Sequence, residues 1–220
     1  MNAAAERRIA VVLDDVAAAA APLAWSQSLA QTLRRELRVV YVERTSVLEA
    51  AALPITQTLA HAGAQWARFE PADIERAYRL QLARLQELMQ RLGLQQALRS
   101  LQVVRGALQH AALDVDGESD LVLVGAAALL PGAAPLGRVR CRSVMVWSDD
   151  SEQGLRLVEF AARCAQSLGA TQRIVHTTGP LEPGEIERAR ADLLMLPRER
   201  ASARVLAAAR RPLLLVGRKD

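Results

Sequence analysis

The feature that most constrains this chain is a recurring unit, a short aliphatic run that stops at an acid or a glycine and gives way to a helical period. Arg8–Asp14 reads RIAVVLD, Arg38–Val42 RVVYV, Leu101–Val104 LQVV and Asp120–Val124 DLVLV. Uninterrupted aliphatic runs belong to strands buried on both faces, because strands with one wet face alternate apolar and polar residues. Between the first two runs, Pro22 suits a first helical turn, and Leu23, Leu29, Leu33 and Leu37 follow at roughly helical spacing. Strand, helix, strand with short joints closes as a right-handed parallel crossover.

Glu43–Glu70 is less regular, with Pro54, His61, Gly63, Trp66 and Phe69. Short helices are expected over Val47–Ala52 and Gln57–Ala62. Long connections in small domains serve as flaps, lids or partner surfaces, and Trp66 and Phe69 are the candidates for a partner-facing surface. Pro71 opens a strong helix that Gly93 stops. Its Ile74, Tyr78, Leu82, Leu85, Met89 and Leu92 form one apolar stripe for packing on the sheet. After LQVV, Arg105-Gly106 leads into a short helix over Ala107–Leu113.

The second half repeats the unit. Ser143–Trp147 is a strand, and Asp149-Asp150-Ser151 forms an acidic turn with capping residues. The helix that follows carries Leu155, Val158, Ala162, Ala165 and Leu168 and stops at Gly169. Strands are expected at Arg173–His176, Asp192–Leu196 and Pro212–Val216, with helices over Gly184–Arg190 and Ala201–Arg210 between them. VVLDD at Val11–Asp15 answers VMVWSDD at Val144–Asp150, and DLVLVG at Asp120–Gly125 answers DLLMLP at Asp192–Pro197. The second copy lacks most of the middle of the first, and the first lacks a closing helix and strand of its own. The division falls into residues 1–138 and 139–220. Whether the halves share one sheet stays open.

This order of segments resembles the universal stress protein family in tandem form. The matching residues are RIAVVLDD, LRRELRVVYVE, VVRG and DLVLVG in the first half. In the second they are SVMVWSDDSEQGLRLVEFAARCAQSLGA, ADLLMLP and AAARRPLLLV. The likeness covers nearly the whole chain outside Glu43–Glu70. It implies an α/β fold of two doubly wound parallel-sheet repeats, Rossmann-like, the second shortened, each built on the strand order 3-2-1-4-5. Ligands in such sheets sit at the carboxyl ends of the strands where the order reverses. Here that gathers Asp14, Asp15, Val104, Gly106 and Gly125, the candidate nucleotide-binding residues.

In the ATP-binding branch of that family an acid ends the first strand, and a G-x2-G-x9-G-[S/T] loop after the fourth strand wraps the phosphates. Glycines let main-chain N–H groups approach the anion closely. Asp14 and Asp149 match the acid, whereas the loop does not match. Three alanines follow Gly125, Gly132 and Gly137 are misplaced, no Ser or Thr follows, and Pro197 holds the corresponding glycine position of the second copy. Asp15 and Asp150 add charge where phosphates would lie, and acids that cap the next helix are the simpler account of them. No cofactor is therefore expected, with ATP as the alternative.

Other chemistry is not signalled. His61, His110 and His176 lack metal-ligand spacing, and no nucleophile–base motif or P-loop is present. Cys141 and Cys164 are too few and too far apart for a disulfide framework. The formal net charge of +4 rests on arginines mixed with glutamates, Lys219 being the only lysine, so solvated helix faces explain it better than a nucleic-acid surface. No apolar run is long enough to span a bilayer, and no signal peptide is evident. The expectation is a cytoplasmic, non-catalytic stress-response module that works through a protein partner or as a homodimer, without nucleic acid or membrane insertion. A nucleotide-responsive switch and a cytoplasmic accessory of a membrane transporter are the alternatives.

Overall fold

The structure is a computed structural model and describes residues 8–53, 57–60, 65–68, 71–115, 119–125 and 140–217. The first half runs β1 (Arg8–Leu13), α1 (Ala20–Leu33), β2 (Glu36–Arg44) and α2 (Thr45–Ala52), then β3 (Gln57–Ala60) and β4 (Gln65–Arg68). It continues with α3 (Pro71–Arg91), α4 (Gln95–Arg99), β5 (Gln102–Gly106), α5 (Leu108–Asp114) and β6 (Ser119–Val124). The second half runs β7 (Ser143–Ser148), α6 (Glu152–Leu168), β8 (Thr171–His176), α7 (Pro183–Arg188) and β9 (Leu193–Pro197). A 3-10 turn at Arg198–Arg200, α8 (Ala203–Ala208) and β10 (Leu213–Val216) complete it.

Eight strands make one sheet in the order β5-β2-β1-β6-β10-β9-β7-β8. Every neighbouring pair is parallel except β10 with β6. The first half has the expected 3-2-1-4 order. Beside β6, where a fifth strand of the first half would lie, stands β10 from the second half. It runs the other way, with Leu213 opposite Val124 and Val216 opposite Leu121. The question left open by the sequence is thus answered: the halves share a continuous sheet, joined by one antiparallel seam. The boundary expected at residues 138 and 139 lies outside the described residues.

The continuous aliphatic runs follow from burial on both faces. Ile9, Val11 and Leu13 of β1 enter a core with Leu23, Leu29, Leu85 and Met89, under α1 and α3. Ala10 and Val12 enter the opposite core with Ala112, Val205 and Leu206, a layer built from α5 and α8 in which α5 packs on β1. Alternate side chains of one strand therefore feed two cores, and neither face leaves room for polar residues. Even the large strand residues Ile9, Leu13, Leu121 and Leu123 are at most 1% exposed.

One local expectation is overturned. Gln57–Ala60 is a strand and not part of a helix; it pairs antiparallel with β4, Leu59 opposite Trp66. Cross-strand pairing decides the state of so short a segment, and its own helical period is too brief to compete. The stripe on α3 divides. Leu82, Leu85, Met89 and Leu92 pack on the sheet, while Ile74 and Tyr78 pack with Ala51 of α2. No helix of the described residues is long and apolar enough to cross a membrane.

Candidate functional site

The carboxyl ends of β1, β2, β5 and β6 meet at one rim of the sheet. Register places the pieces. Gly125 follows β6 and donates its N–H to the Val12 carbonyl at 2.9 Å, which sets it beside the end of β1. Arg44, the last residue of β2, lies opposite Gly106, the last of β5. Because β10 starts at Leu213 opposite Val124, the residues just before it, Arg210 and Arg211, reach the same rim from the second half. A cavity of about 300 Å³ results, with Asp14, Arg44, Gly106, Gly125, Arg210 and Arg211 among its lining residues.

Asp14 is the buried charge of this site. Its side chain is 4% exposed, and Oδ2 accepts from Arg44 Nε at 2.6 Å. Its other oxygen, Oδ1, is buried and accepts no hydrogen bond among the described residues. The Asp14 hydrogen bond raises the Arg44 pKa above its ordinary value, so the pair is a neutral unit of opposite charges. Tyr78 of α3 donates its hydroxyl to the Arg44 carbonyl at 2.9 Å and so fixes the residue that holds Asp14. Burial raises the Tyr78 and Tyr41 hydroxyl pKa values, and both phenols stay neutral donors. Arg210 is paired with Glu187 at 2.9 Å.

Of the residues singled out by sequence, Asp14, Gly106 and Gly125 share this cavity. Asp15 and Val104 are not among its lining residues. Asp15 Oδ1 accepts from the Ala17 N–H at 2.9 Å, closing a local turn. Val104 borders a separate groove with His110 and Asp114. Neither acid caps α1, which begins at Ala20 with Ala19 at its N-cap and no side-chain cap. Gly125 has a packing reason to be glycine, since a Cβ there would stand 2.5 Å from Leu13 Cδ2. Trp66 lies on the β3–β4 hairpin, apart from the main sheet, and Phe69 lies outside the described residues, as do Gly132 and Gly137.

Sequence reasoning missed Arg44, Tyr78 and Arg211. The first was legible in principle, as a charged residue ending a buried strand one position from the acid-bearing rim. The other two depend on chain-distant packing. The antiparallel seam that brings in Arg211 has no local signature.

No family model matches the sequence, and no curated protein matches it. Solved structures do. One is a universal stress protein from Archaeoglobus fulgidus, 10% identical, with a TM-score of 0.48 over 96% of this chain and 97% of that one.

The counterpart of Asp14 in the second half is Asp149, after β7. The seam reverses strand direction, so this acid lies at the opposite rim of the sheet. Asp149 Oδ1 accepts from the N–H of Ser151 at 3.1 Å and also from its hydroxyl, and these bonds lower its pKa. Ser151 in turn caps α6 by accepting from the Gly154 N–H at 3.0 Å. Arg200 Nη1 lies 3.9 Å from Asp149 Oδ2. That acid serves a turn. Cys141 and Cys164 are buried, and desolvation pushes their thiols up to about 11 and about 12.

Proposed function

We propose that the chain is a non-catalytic, regulatory binding module of a stress response in the cytoplasm, built from two degenerate universal-stress-like repeats and acting through a protein partner or as a homodimer. The observation that carries this reading is the Asp14–Arg44 pair at 2.6 Å. The carboxylate that nucleotide-binding relatives keep for their ligand is here given to an arginine of the same chain. The β3–β4 hairpin, outside the main sheet and carrying Trp66, is the partner-facing element.

The test is nucleotide turnover and retention. Protein purified without added nucleotide and then denatured is expected to release none, and Mg-ATP is expected to remain unhydrolysed at high protein concentration. Stoichiometric nucleotide in the denatured supernatant, or turnover abolished by Asp14→Asn, favours instead the nucleotide switch. The single observation on that side is that Asp14, Gly106 and Gly125 line the same cavity.

A further inference from the structure

The two halves differ most at the outer edge of the second. Residues 8–41 and 143–176 correspond at a constant shift with no gap. β1 matches β7, β2 matches β8, and the left-handed residues that close α1 and α6, Arg34 and Gly169, coincide. In the first half β5 pairs along β2 and α3 covers that flank. Val39 and Leu23 are fully buried there with Leu85 and Met89, Tyr41 donates to Gln81 of α3, and Gln27 Nε2 donates to the Leu92 carbonyl at 2.9 Å. In the second half no strand among the described residues lies beyond β8. The positions stay apolar without that cover: Ile174, the counterpart of Val39, is 44% exposed, and Leu155, the counterpart of Ala20, is 57% exposed. The polar anchors of α3 are gone, Gln27 being replaced by Ala162 and Tyr41 by His176. Ile174 points to the α6 side, since Val146 opposite it shares a core with Leu157 and Phe160. Leu155 lies one turn before Val158, whose carbonyl accepts from Gln172 at 2.9 Å, and so faces the same flank. Large apolar side chains beside an unpaired strand edge mark a surface for another chain.

We propose that this edge binds a second copy of the chain, β8 pairing antiparallel with its own copy about a twofold axis perpendicular to the sheet. The backbone sets the register. Thr171 and Thr177 donate their N–H groups to the Arg142 and Ser148 carbonyls at 2.9 Å, so the odd-numbered residues of β8 serve β7. The N–H and C=O groups of Gln172, Ile174 and His176 therefore point outward. Such an axis keeps both α6 helices on one side and sets even-numbered residues opposite even-numbered ones. Centred on Ile174, it pairs Ile174 with itself and Gln172 with His176, and all three outward residues are bonded. Centred on Arg173, it would set that charge against its own copy and leave His176 unpaired. The first register also gathers Ile174 and Leu155 of both copies on one side of the joined sheet. The contact is isologous and closes after two copies. The opposite edge does not extend it, because β5 carries Arg105 in ion pairs with Glu43 at 3.0 Å and Glu75 at 3.8 Å, and charge blunts an edge. The lost anchors speak against a separate α3-like helix as the occupant, and the self-matching register speaks for a second copy. The inference rests on the homodimer branch of the proposed function and names its surface.

Analytical ultracentrifugation of the full chain over a concentration series tests it. A species of twice the 23.9 kDa chain mass is expected to grow in as concentration rises. Ile174→Lys sets two ammonium groups face to face at the axis and is expected to weaken dimerisation at least about tenfold. Ile174→Pro removes an outward N–H that the home sheet does not use and is expected to weaken it as well. Val103→Lys, at the 42% exposed position on the β5 edge, is expected to leave the dimer unchanged. Ile174→Cys supplies the positive arm. The Cα atoms of a hydrogen-bonded antiparallel pair stand about 5.5 Å apart, within disulfide reach, so mild oxidation is expected to cross-link two copies through this residue. Urea midpoints near the parent's show that the variants are folded; where Ile174→Pro falls short, Ile174→Lys decides. A dimer that Ile174→Lys leaves intact overturns this interface while keeping the homodimer branch. A chain that is monomeric at every concentration overturns both, and leaves the edge to a strand of a different protein.

Discussion

Arg198 Nη2 donates to the Val115 carbonyl at 2.6 Å, and through this contact the second half closes the end of a helix in the first. The same guanidinium reaches the Leu113 carbonyl at 3.2 Å and, by Nη1, the Ser119 carbonyl at 3.1 Å. Arg198 is 5% exposed, so those carbonyls have no water to turn to. A cation at the carboxyl end of α5 also meets the negative end of the helix dipole.

Replacing Arg198 with Ala strands buried carbonyls and removes a charged donor. Hydrogen bonds of that kind contribute roughly 1.5–3 kcal/mol each, but they share one side chain and are not additive, so a loss of about 2–4 kcal/mol is expected. The urea midpoint falls, and the transition remains single because the sheet is continuous. An unchanged midpoint shows that the contact contributes nothing net; two separated transitions show that the halves unfold independently.

The Asp14–Arg44 pair predicts an asymmetry. Arg44→Ala leaves a carboxylate with 4% exposure and no cation beside it, whereas Asp14→Asn leaves only a half-exposed arginine free to turn to water. Breaking a fully buried pair costs about 3–5 kcal/mol; Arg44 is 40% exposed, which discounts the expectation to about 1–3 kcal/mol. Adding Asp14→Asn to Arg44→Ala recovers part of that loss, and a double-mutant cycle in urea reads the coupling. Equal costs for the two single substitutions would contradict the geometry.

Most strands and helices of the main sheet were legible because burial on both faces writes itself as aliphatic runs, DLVLV being the clearest. The parallel crossover of the first two strands followed from short joints and handedness, whereas the strand order of the first half came only from the family resemblance. The seam followed from neither, since nothing in PLLLV says whether it adds to its own half or turns to face β6. Gln57–Ala60 misled because a four-residue segment carries too little period to separate strand from helix. The site was legible as a location. Its contents were not, because Asp14's partner lies at the end of another strand and Arg211 arrives by way of the seam.

Three glycines separate packing from backbone freedom. At Gly125 an added Cβ meets Leu13 Cδ2 at 2.5 Å, in a core where Leu13 is 1% exposed. Gly125→Ala is therefore expected to cost about 1–3 kcal/mol through overpacking. At Gly154 the Cβ runs into the backbone carbonyl and carboxylate of Asp149, which cannot swing aside, so Gly154→Ala costs more. Gly179 has nothing within 4 Å of that position, and Gly179→Ala stays within about 0.5 kcal/mol of the parent. Urea melts of the three variants give the ranking; a Gly125→Ala protein as stable as Gly179→Ala would remove the packing account.

The two thiols make the last prediction, in reactivity and in pH dependence. Cys164 is 1% exposed and Cys141 3%, and neither thiol forms a disulfide. Thiolate is the reactive species, and burial raises Cys164 to about 12 and Cys141 to about 11 from an ordinary value of 9.0. At pH 8 an aromatic disulfide reagent is expected to titrate both cysteines in denaturant and to react at least about a hundredfold more slowly with the native protein, through opening events. The sign for stability follows from the raised values. Below the unfolded pKa both states carry the proton and the contribution is complete. As the pH climbs from about 9 toward about 12, the unfolded chain ionises while the folded one resists, and stability falls. Cys164→Ala removes the larger of these two titrations, so its urea midpoint changes less than the parent's between pH 8.5 and pH 10.5, by about 1–2 kcal/mol in the corresponding free energy. Native thiols that react as fast as denatured ones, or identical pH slopes for parent and variant, would refute the burial of Cys164 in the core.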